Sequence, residues 1–345
     1  MTSRERLLCA FERGKPDRVP VGPFGFGHVN PDSEIGLQLV KRTDFIQSIG
    51  GAGGFLGAAA KSESTTEGNR TTTVLHTPKG DLTSIYQRTE ITGAQVKFAC
   101  KDADDVEKLL SVPYEPPAID ASSFLQWKDR IGDEGIVLFG FADAICTPAQ
   151  FFSPEDFSLL WVDAPDAFMA LIDAANERVC EQADRCCKAG IDAFRLLGGE
   201  YASTQLGPAA YRQTVTEPDR KVTDIMHSHG ATVYYHNHGP TMKYLELLAD
   251  IGMDACDCFE APPWGDFDFP EAKKRIGDRI CFVGNLDDME VIDKLPEAKV
   301  LEMARERIIE SEGWGFVLGG TASGTYTERA ARNFMAMADL AAQMA

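Results

Sequence analysis

From about residue 130 to the C-terminus, short apolar runs alternate with longer segments of helical period, a pattern that confines the chain to parallel βα units. The runs that read as strands are Ile136 to Phe141, Ala193 to Leu197, Thr232 to His236, Asp254 to Phe259, Ile280 to Val283 and Gly315 to Leu318. Between them the period of 3.6 predicts helices over Pro154 to Val162, Pro165 to Lys188, Pro208 to His229, Met242 to Ile251, Pro270 to Ile276, Pro296 to Ser311 and Tyr326 onward. Several open on a proline, whose missing N–H costs nothing in a first turn, and the third stops at Gly230, a usual helix C-cap.

A further strand, Arg18 to Pro23, follows a short helix from Ser3 to Arg13, with Ser3 as the expected N-cap. An eighth is expected near Phe55 or in the glycine-rich run Gly50 to Gly57. Seven or eight such units in 345 residues fit a (β/α)8 TIM barrel, an α/β fold, as a single domain over residues 1–345. An open doubly wound sheet is the alternative, but no glycine-rich phosphate loop follows any strand. Residues 58–100 break the pattern. There, Thr71 to Leu75 and Leu82 to Thr92 flank a Pro78-Lys79-Gly80-Asp81 turn, which predicts a β-hairpin or meander insertion near the barrel mouth.

Charge narrows the function. Lys and Arg number 34 against 53 Asp and Glu, a net charge of −19, with no basic run, so nucleic acid and anionic membrane are poor partners. No stretch reaches the roughly 20 apolar residues of a membrane helix, and the N-terminus is charged with no apolar core behind it. A cytoplasmic protein is expected. Nine cysteines without any CxxC pair read as free, mostly buried thiols; only Cys256 and Cys258 lie where chemistry is expected, and packing competes with it there.

In a barrel the reactive groups gather at the C-terminal ends of strands. Tyr234-Tyr235-His236-Asn237-His238-Gly239 puts His236 and His238 on one strand face. Alternation in Asp254 to Glu260 aligns Cys256, Cys258 and Glu260, with the Pro262-Pro263 corner behind them and Trp264 beyond. Leu197-Gly198-Gly199-Glu200 ends in another carboxylate, and Val283-Gly284-Asn285-Leu286-Asp287 supplies an amide and an acid. Two imidazoles and one or two carboxylates would suit Zn2+ as a catalytic metal. The same residues also suit metal-free acid–base or substrate binding, with Glu260 merely orienting His238. His28, in the loop after the first strand, could reach the mouth; His76 is expected in solvent, and His227 and His229 at a helix C-terminus.

With these motifs in view, the chain resembles the uroporphyrinogen decarboxylase superfamily. Glu5-Arg6-Leu7-Leu8 followed by Pro16-Asp17-Arg18-Val19-Pro20-Val21 is similar to its N-terminal signature. His236-Asn237-His238-Gly239, Gly284-Asn285-Leu286-Asp287, Gly315-Phe316-Val317-Leu318-Gly319 and Arg332-Asn333-Phe334-Met335-Ala336-Met337 follow its later motifs in order. The resemblance implies a (β/α)8 barrel and one of two chemistries. Decarboxylases of the family carry an Arg-rich segment after the first strand, whereas this chain reads Val21-Gly22-Pro23-Phe24-Gly25-Phe26-Gly27-His28. The other branch, zinc- and corrinoid-dependent methyltransferases, has a His-x-Cys motif and a later Cys. Here the first becomes His236-Asn237-His238, and the later stretch, Gly319-Gly320-Thr321-Ala322-Ser323, lacks the Cys.

That resemblance implies a methyltransferase, with O-demethylation of a methoxylated small substrate and methyl transfer to the cobalt of a corrinoid protein. His236, His238 and Glu260 are the expected Zn2+ ligands. Glu200, Glu260 and Asp287 are expected in catalysis, and His28, Tyr235, Asn237, Trp264 and Asn285 in substrate binding. A second copy of the chain is a candidate partner in a homodimer. A metal-free decarboxylase or lyase is the alternative, and a non-catalytic corrinoid- or porphyrin-binding member the third.

Overall fold

The computed structural model describes residues 1–321 and 325–345. Eight parallel strands close into a barrel: β1 (Val21–Gly22), β2 (Phe45–Ala52), β7 (Gly135–Ala142), β8 (Ala193–Leu197), β9 (Thr232–Asn237), β10 (Ala255–Cys258), β11 (Cys281–Asn285) and β12 (Phe316–Gly319). Their order around the sheet is β1-β12-β11-β10-β9-β8-β7-β2. A parallel bridge between Phe24 and Ile46, with the Asp44 amide donating to the Val21 carbonyl at 2.8 Å, joins the two ends. The eighth strand is therefore β2, starting at Phe45, ahead of the glycine run that the sequence points to. Its apolar segment is only Phe45-Ile46, after which the strand grows polar and then glycyl. At Gly51 a Cβ would stand 1.5 Å from the Gly140 carbonyl oxygen, so the close passage of β2 against β7 admits no side chain.

Alternation along the strands divides the apolar side chains into two sets. Outward residues such as Val137, Phe139, Phe194, Val233 and Phe282 pack under the helices. Inward residues, Ile46, Ile136, Leu138, Ala193, Tyr234, Ala255, Cys281, Val283 and Val317, fill the barrel together with Leu7, Ala10 and Phe11. Those last three come from the first helix (Ser3–Phe11), which plugs the N-terminal end of the barrel; Phe11 meets Tyr234 edge-on at 6.1 Å. The helix is capped by Thr2 rather than Ser3, because Thr2 and Glu5 complete a reciprocal capping box.

The N-terminal motif is an ion network. Arg6 and Arg18 both donate to the fully buried Asp44 carboxylate, at 2.6 and 2.7 Å, and Arg6 also to Asp17. Asp44 accepts the Val21 amide as well, fixing the plug to the starts of β1 and β2. Two predicted helices are shorter or broken. The Pro208 to His229 segment contains a wide turn at Arg212–Thr216 before Glu217–Ser228, and Met242 to Ile251 is helical only over Leu245–Ala249.

Between β2 and β7 the chain leaves the barrel at its C-terminal end and forms an antiparallel sheet, β3 (Lys61–Glu67), β4 (Arg70–His76), β5 (Leu82–Arg88) and β6 (Gly93–Lys97), in sequential order. The expected β4–β5 hairpin is present, with the polar Lys61 to Glu67 run as a third, wholly exposed strand. Leu75 and Leu82 anchor the sheet in the core beside Val106 and Leu109 of the helix Ala103–Leu110. Among the described residues no helix is long and apolar enough to cross a membrane.

Candidate metal centre

On β9, Tyr234 points into the barrel and His236 follows it on the same face, one layer nearer the mouth. His238, just past the strand, completes the pair, and the two rings lie edge to face with centroids 4.5 Å apart. Next to β9, β10 brings up Asp257 and Cys258, adjacent in sequence across a cis peptide bond. Asp257 Oδ1 stands 2.7 Å from His236 Nδ1, and Cys258 Sγ lies 3.5 Å from His236 Nδ1 and 3.4 Å from His238 Nδ1. One ligand atom each from His236, His238 and Cys258 falls within 4.8 Å of the others.

Glu260 stands behind this group. Its Oε1 pairs with His238 Nδ1 at 3.0 Å, and its Oε2 accepts the Gly239 amide at 2.8 Å. Each imidazole thus has its Nδ1 on a carboxylate, Asp257 or Glu260, which fixes the ring and leaves Nε2 as the nitrogen without one. Burial alone would push both carboxyls up, but the neighbouring imidazoles hold each below the ordinary carboxylate range. The hydrogen bond to Glu260 raises the His238 pKa in turn. Burial drives the Cys258 thiol well up, reinforced by the Asp257 charge, so a thiolate there calls for a cation. Two imidazoles and a thiol are a donor set that zinc accepts.

A second polar cluster lies outside the barrel wall beneath β8. Asp143, directly after β7, and Asp219, on the helix Glu217–Ser228, are both fully buried. They hydrogen-bond each other and share the Tyr235 hydroxyl, at 3.3 and 2.7 Å. Burial raises both carboxyls, Asp219 to about 7, and the charge of Asp219 raises Asp143 further. Gly198 runs over this pair: a Cβ there would sit 1.7 Å from Asp143 Oδ2. The pair thereby sets the path of the Gly198-Gly199 turn that delivers Glu200.

The sequence-derived residues divide. His236, His238 and Glu260 converge at the mouth, and Asn285 ends β11 there, its amide nitrogen on the Phe259 carbonyl and its Oδ1 unpaired. Glu200 opens the helix Glu200–Gln205 with a buried, unpaired Oε2. Three others are engaged otherwise. Tyr235 alternates to the outer face and serves the carboxyl pair, and Asn237 follows it, bonded to the His238 carbonyl and the Tyr211 hydroxyl. The Asp287 carboxylate caps the next helical turn through the Met289 and Glu290 amides. His28 is exposed in its loop, and Trp264 is 64% exposed. Cys256, expected in line with Cys258, faces outward into the core, because strict alternation fails where Asp257 and Cys258 both reach His236. Of the stretch matched to the missing later Cys, residues 322 and 323 lie outside the described residues. Asp257, Asp143, Asp219 and Arg195 are polar groups that the sequence reading passed over. A charge within an apolar strand run was the available signal for the first and last.

Residues 84–344 match the uroporphyrinogen decarboxylase (URO-D) family model. The methylcobamide:CoM methyltransferase MtaA of Methanosarcina barkeri is 22% identical over 159 residues, 46% of this chain and 45% of that protein. A uroporphyrinogen decarboxylase of Coxiella burnetii is 26% identical over 243 residues, 65% of this chain and 62% of that one. The chain therefore spans less than two thirds of the length of either relative. A methyltransferase structure from Methanosarcina mazei superposes with a TM-score of 0.67 at 16% identity, covering 98% of both chains, which extends the likeness of fold from end to end. With a family match running from β5 to the last helix, on a barrel of the same architecture, this chain belongs to the uroporphyrinogen decarboxylase (URO-D) family.

Proposed function

We propose that the protein is a metal-dependent methyltransferase that takes a methyl group from a small methylated, methoxylated substrate and passes it to the cobalt of a corrinoid protein. One observation carries the reading: two imidazoles, each steadied through Nδ1 by its own carboxylate, share the barrel mouth with a buried thiol. His236, His238 and Cys258 would hold zinc, while Asp257 and Glu260 orient the rings. Relative to the ligand set His236, His238 and Glu260, the change is that the Glu260 oxygens are already engaged by His238 and the Gly239 amide. When bound, the metal supplies Lewis acidity toward the substrate heteroatom from which the methyl departs.

The remaining work falls to the chain's own groups. Asp257 and Glu260 keep the imidazoles in one tautomer and one orientation. Asn285 Oδ1 and Glu200 Oε2, both unpaired, are available to hold substrate hydrogens. Trp264 and Met289, exposed on the segments following β10 and β11, offer apolar surface at the rim for a docking partner. The likeness to a methylcobamide-dependent methyltransferase supports this direction of chemistry. The test is to incubate zinc-loaded protein with cob(I)alamin and a panel of methoxylated donors and to follow methylcobalamin by its visible spectrum. Methyl transfer lost in Cys258→Ala supports the reading. Carbon dioxide release from a carboxylic acid without methylcobalamin would replace it with the decarboxylase alternative.

A further inference from the structure

The strand β3 forms one edge of the insertion's antiparallel sheet, and all seven of its residues are exposed. A two-residue turn, Gly68-Asn69, joins it to β4, and Glu67 opposite Arg70 closes the hairpin. The closing pair of such a hairpin is hydrogen-bonded across its two strands. Alternation then turns the N–H and C=O groups of Lys61, Glu63, Thr65 and Glu67 toward β4, and those of Ser62, Ser64 and Thr66 toward the open edge. Three donors and three acceptors therefore stand in a row without a partner strand.

An edge of this kind is a template for another strand, and chains that avoid pairing shorten it, bulge it or place proline in it. The opposite edge, β6, is treated in this way: it has five residues, and its register with β5 shifts between Ile85 and Tyr86. β3 runs in unbroken register over its seven residues and contains no proline. Its side chains sort by face. Ser62, Ser64 and Thr66 present hydroxyls on one face, where Ser64 meets Thr73 at 2.9 Å and Thr66 meets Thr71 at 3.0 Å across the hairpin. Lys61, Glu63 and Glu67 share the other face with Thr65. Lys61 and Glu67, at the two ends, form no ion pair with a described residue.

We propose that β3 pairs antiparallel with β3 of a second copy of this chain, joining two four-stranded insertions into one continuous sheet. Charge selects the register. A two-fold axis at Ser64 sets Ser62 against Thr66 and Ser64 against Ser64 of the second copy, so that every outward donor and acceptor of both strands is used. Lys61 of each copy then faces Glu67 of the other, and Glu63 faces Thr65. Moving the axis to Glu63 would set that carboxylate against itself, and moving it to Thr65 would set Glu63 against Glu67. Both shifts also leave an outward residue without a β3 partner. The junction is narrower than the roughly 20 to 30 residues a side of a standard interface, and each copy carries a net charge of −19, so the dimer is weak, with a dissociation constant of about 1 to 100 μM.

Sedimentation velocity of the full chain from about 1 to 200 μM, at about 150 mM salt, tests this. The wild type should pass from monomer to dimer over that range. Lys61→Glu and Glu67→Lys each set like charges at both ends of the junction, and each should weaken association about tenfold. An equimolar mixture of these two variants restores opposite charges at both ends and should dimerise as tightly as the wild type, which also shows that both are folded. Ser64→Pro removes the central outward N–H and leaves the ladder with β4 alone, so it should weaken the dimer about tenfold or more. If circular dichroism shows that the proline variant does not fold, the mixture decides. A wild type that stays monomeric at about 200 μM, or a dimer undiminished in folded Ser64→Pro or in the two charge reversals, would overturn the pairing. A mixture that associates no better than either variant alone would overturn it as well, since the register at Ser64 requires the recovery.

Discussion

At the scale of single residues, the proposed centre rests on the two carboxylates paired with its imidazoles. Asp257 holds His236 and Glu260 holds His238, each within 3.0 Å. Partners of this kind orient a ligand and raise its basicity, so Asp257→Asn should weaken zinc binding about 10- to 100-fold while leaving the fold intact. Competition with a chromophoric chelator measures this, and an unchanged affinity would assign Asp257 to packing alone. A different ion network secures the plug. Removing Asp44 takes from the buried Arg6 and the half-buried Arg18 the carboxylate they share, leaving Arg6 only Asp17, and Asp44→Ala should cost about 3 kcal/mol in denaturant unfolding. The imidazole pair was legible because alternation on one strand suffices to align i and i+2. Cys258 was aligned with Glu260 but left out of the ligand set, and Arg195 was passed over, since a thiol or a charge within an apolar run stands out without showing which way it points. Which side of the wall it faces is decided by pairing with neighbouring strands.

Between elements, the Asp143–Asp219–Tyr235 cluster ties β7, β9 and the helix Glu217–Ser228 beneath the turn bearing Glu200. Its residues lie up to 92 positions apart in three separate segments, so periodicity within any one segment carries no sign of it. Burial lifts both carboxyls, and Asp219 titrates at about 7 in the folded chain. The folded state therefore binds more protons than the unfolded one between the ordinary carboxylate range and neutrality. The stability this contributes is complete at low pH and is lost as pH rises through about 7. Metal-free protein should lose on the order of 1 kcal/mol per pH unit between about pH 4, where the unfolded carboxyls ionise, and about pH 7, where the folded Asp219 does. In Asp219→Asn the slope should flatten. Urea unfolding of both proteins across that interval checks this, and equal slopes would mean the pair is ionised throughout.

Over the whole molecule, the barrel was readable because six of its eight strands are short apolar runs separated by long amphipathic helices, a pattern few folds share. The strand placed least well, β2, has two apolar residues before it turns polar and glycyl, and its place is secured by pairing with β7. The insertion showed itself through one hairpin turn, although its first strand, entirely exposed, bore no apolar period at all. The site draws on β8, β9, β10 and β11 together, so its composition follows from the closed order of the barrel rather than from any local motif. Its central claim is that His236, His238 and Cys258 form one metal centre. The most direct measurement is zinc stoichiometry by elemental mass spectrometry on wild type, His238→Ala, Cys258→Ala and Glu260→Gln. The account predicts about one zinc per chain in the wild type, none in the first two variants, and zinc retained at lower affinity in the third. A wild type that takes up no zinc from zinc-supplemented buffer, or a Cys258→Ala variant that holds it as tightly as the wild type, would contradict it.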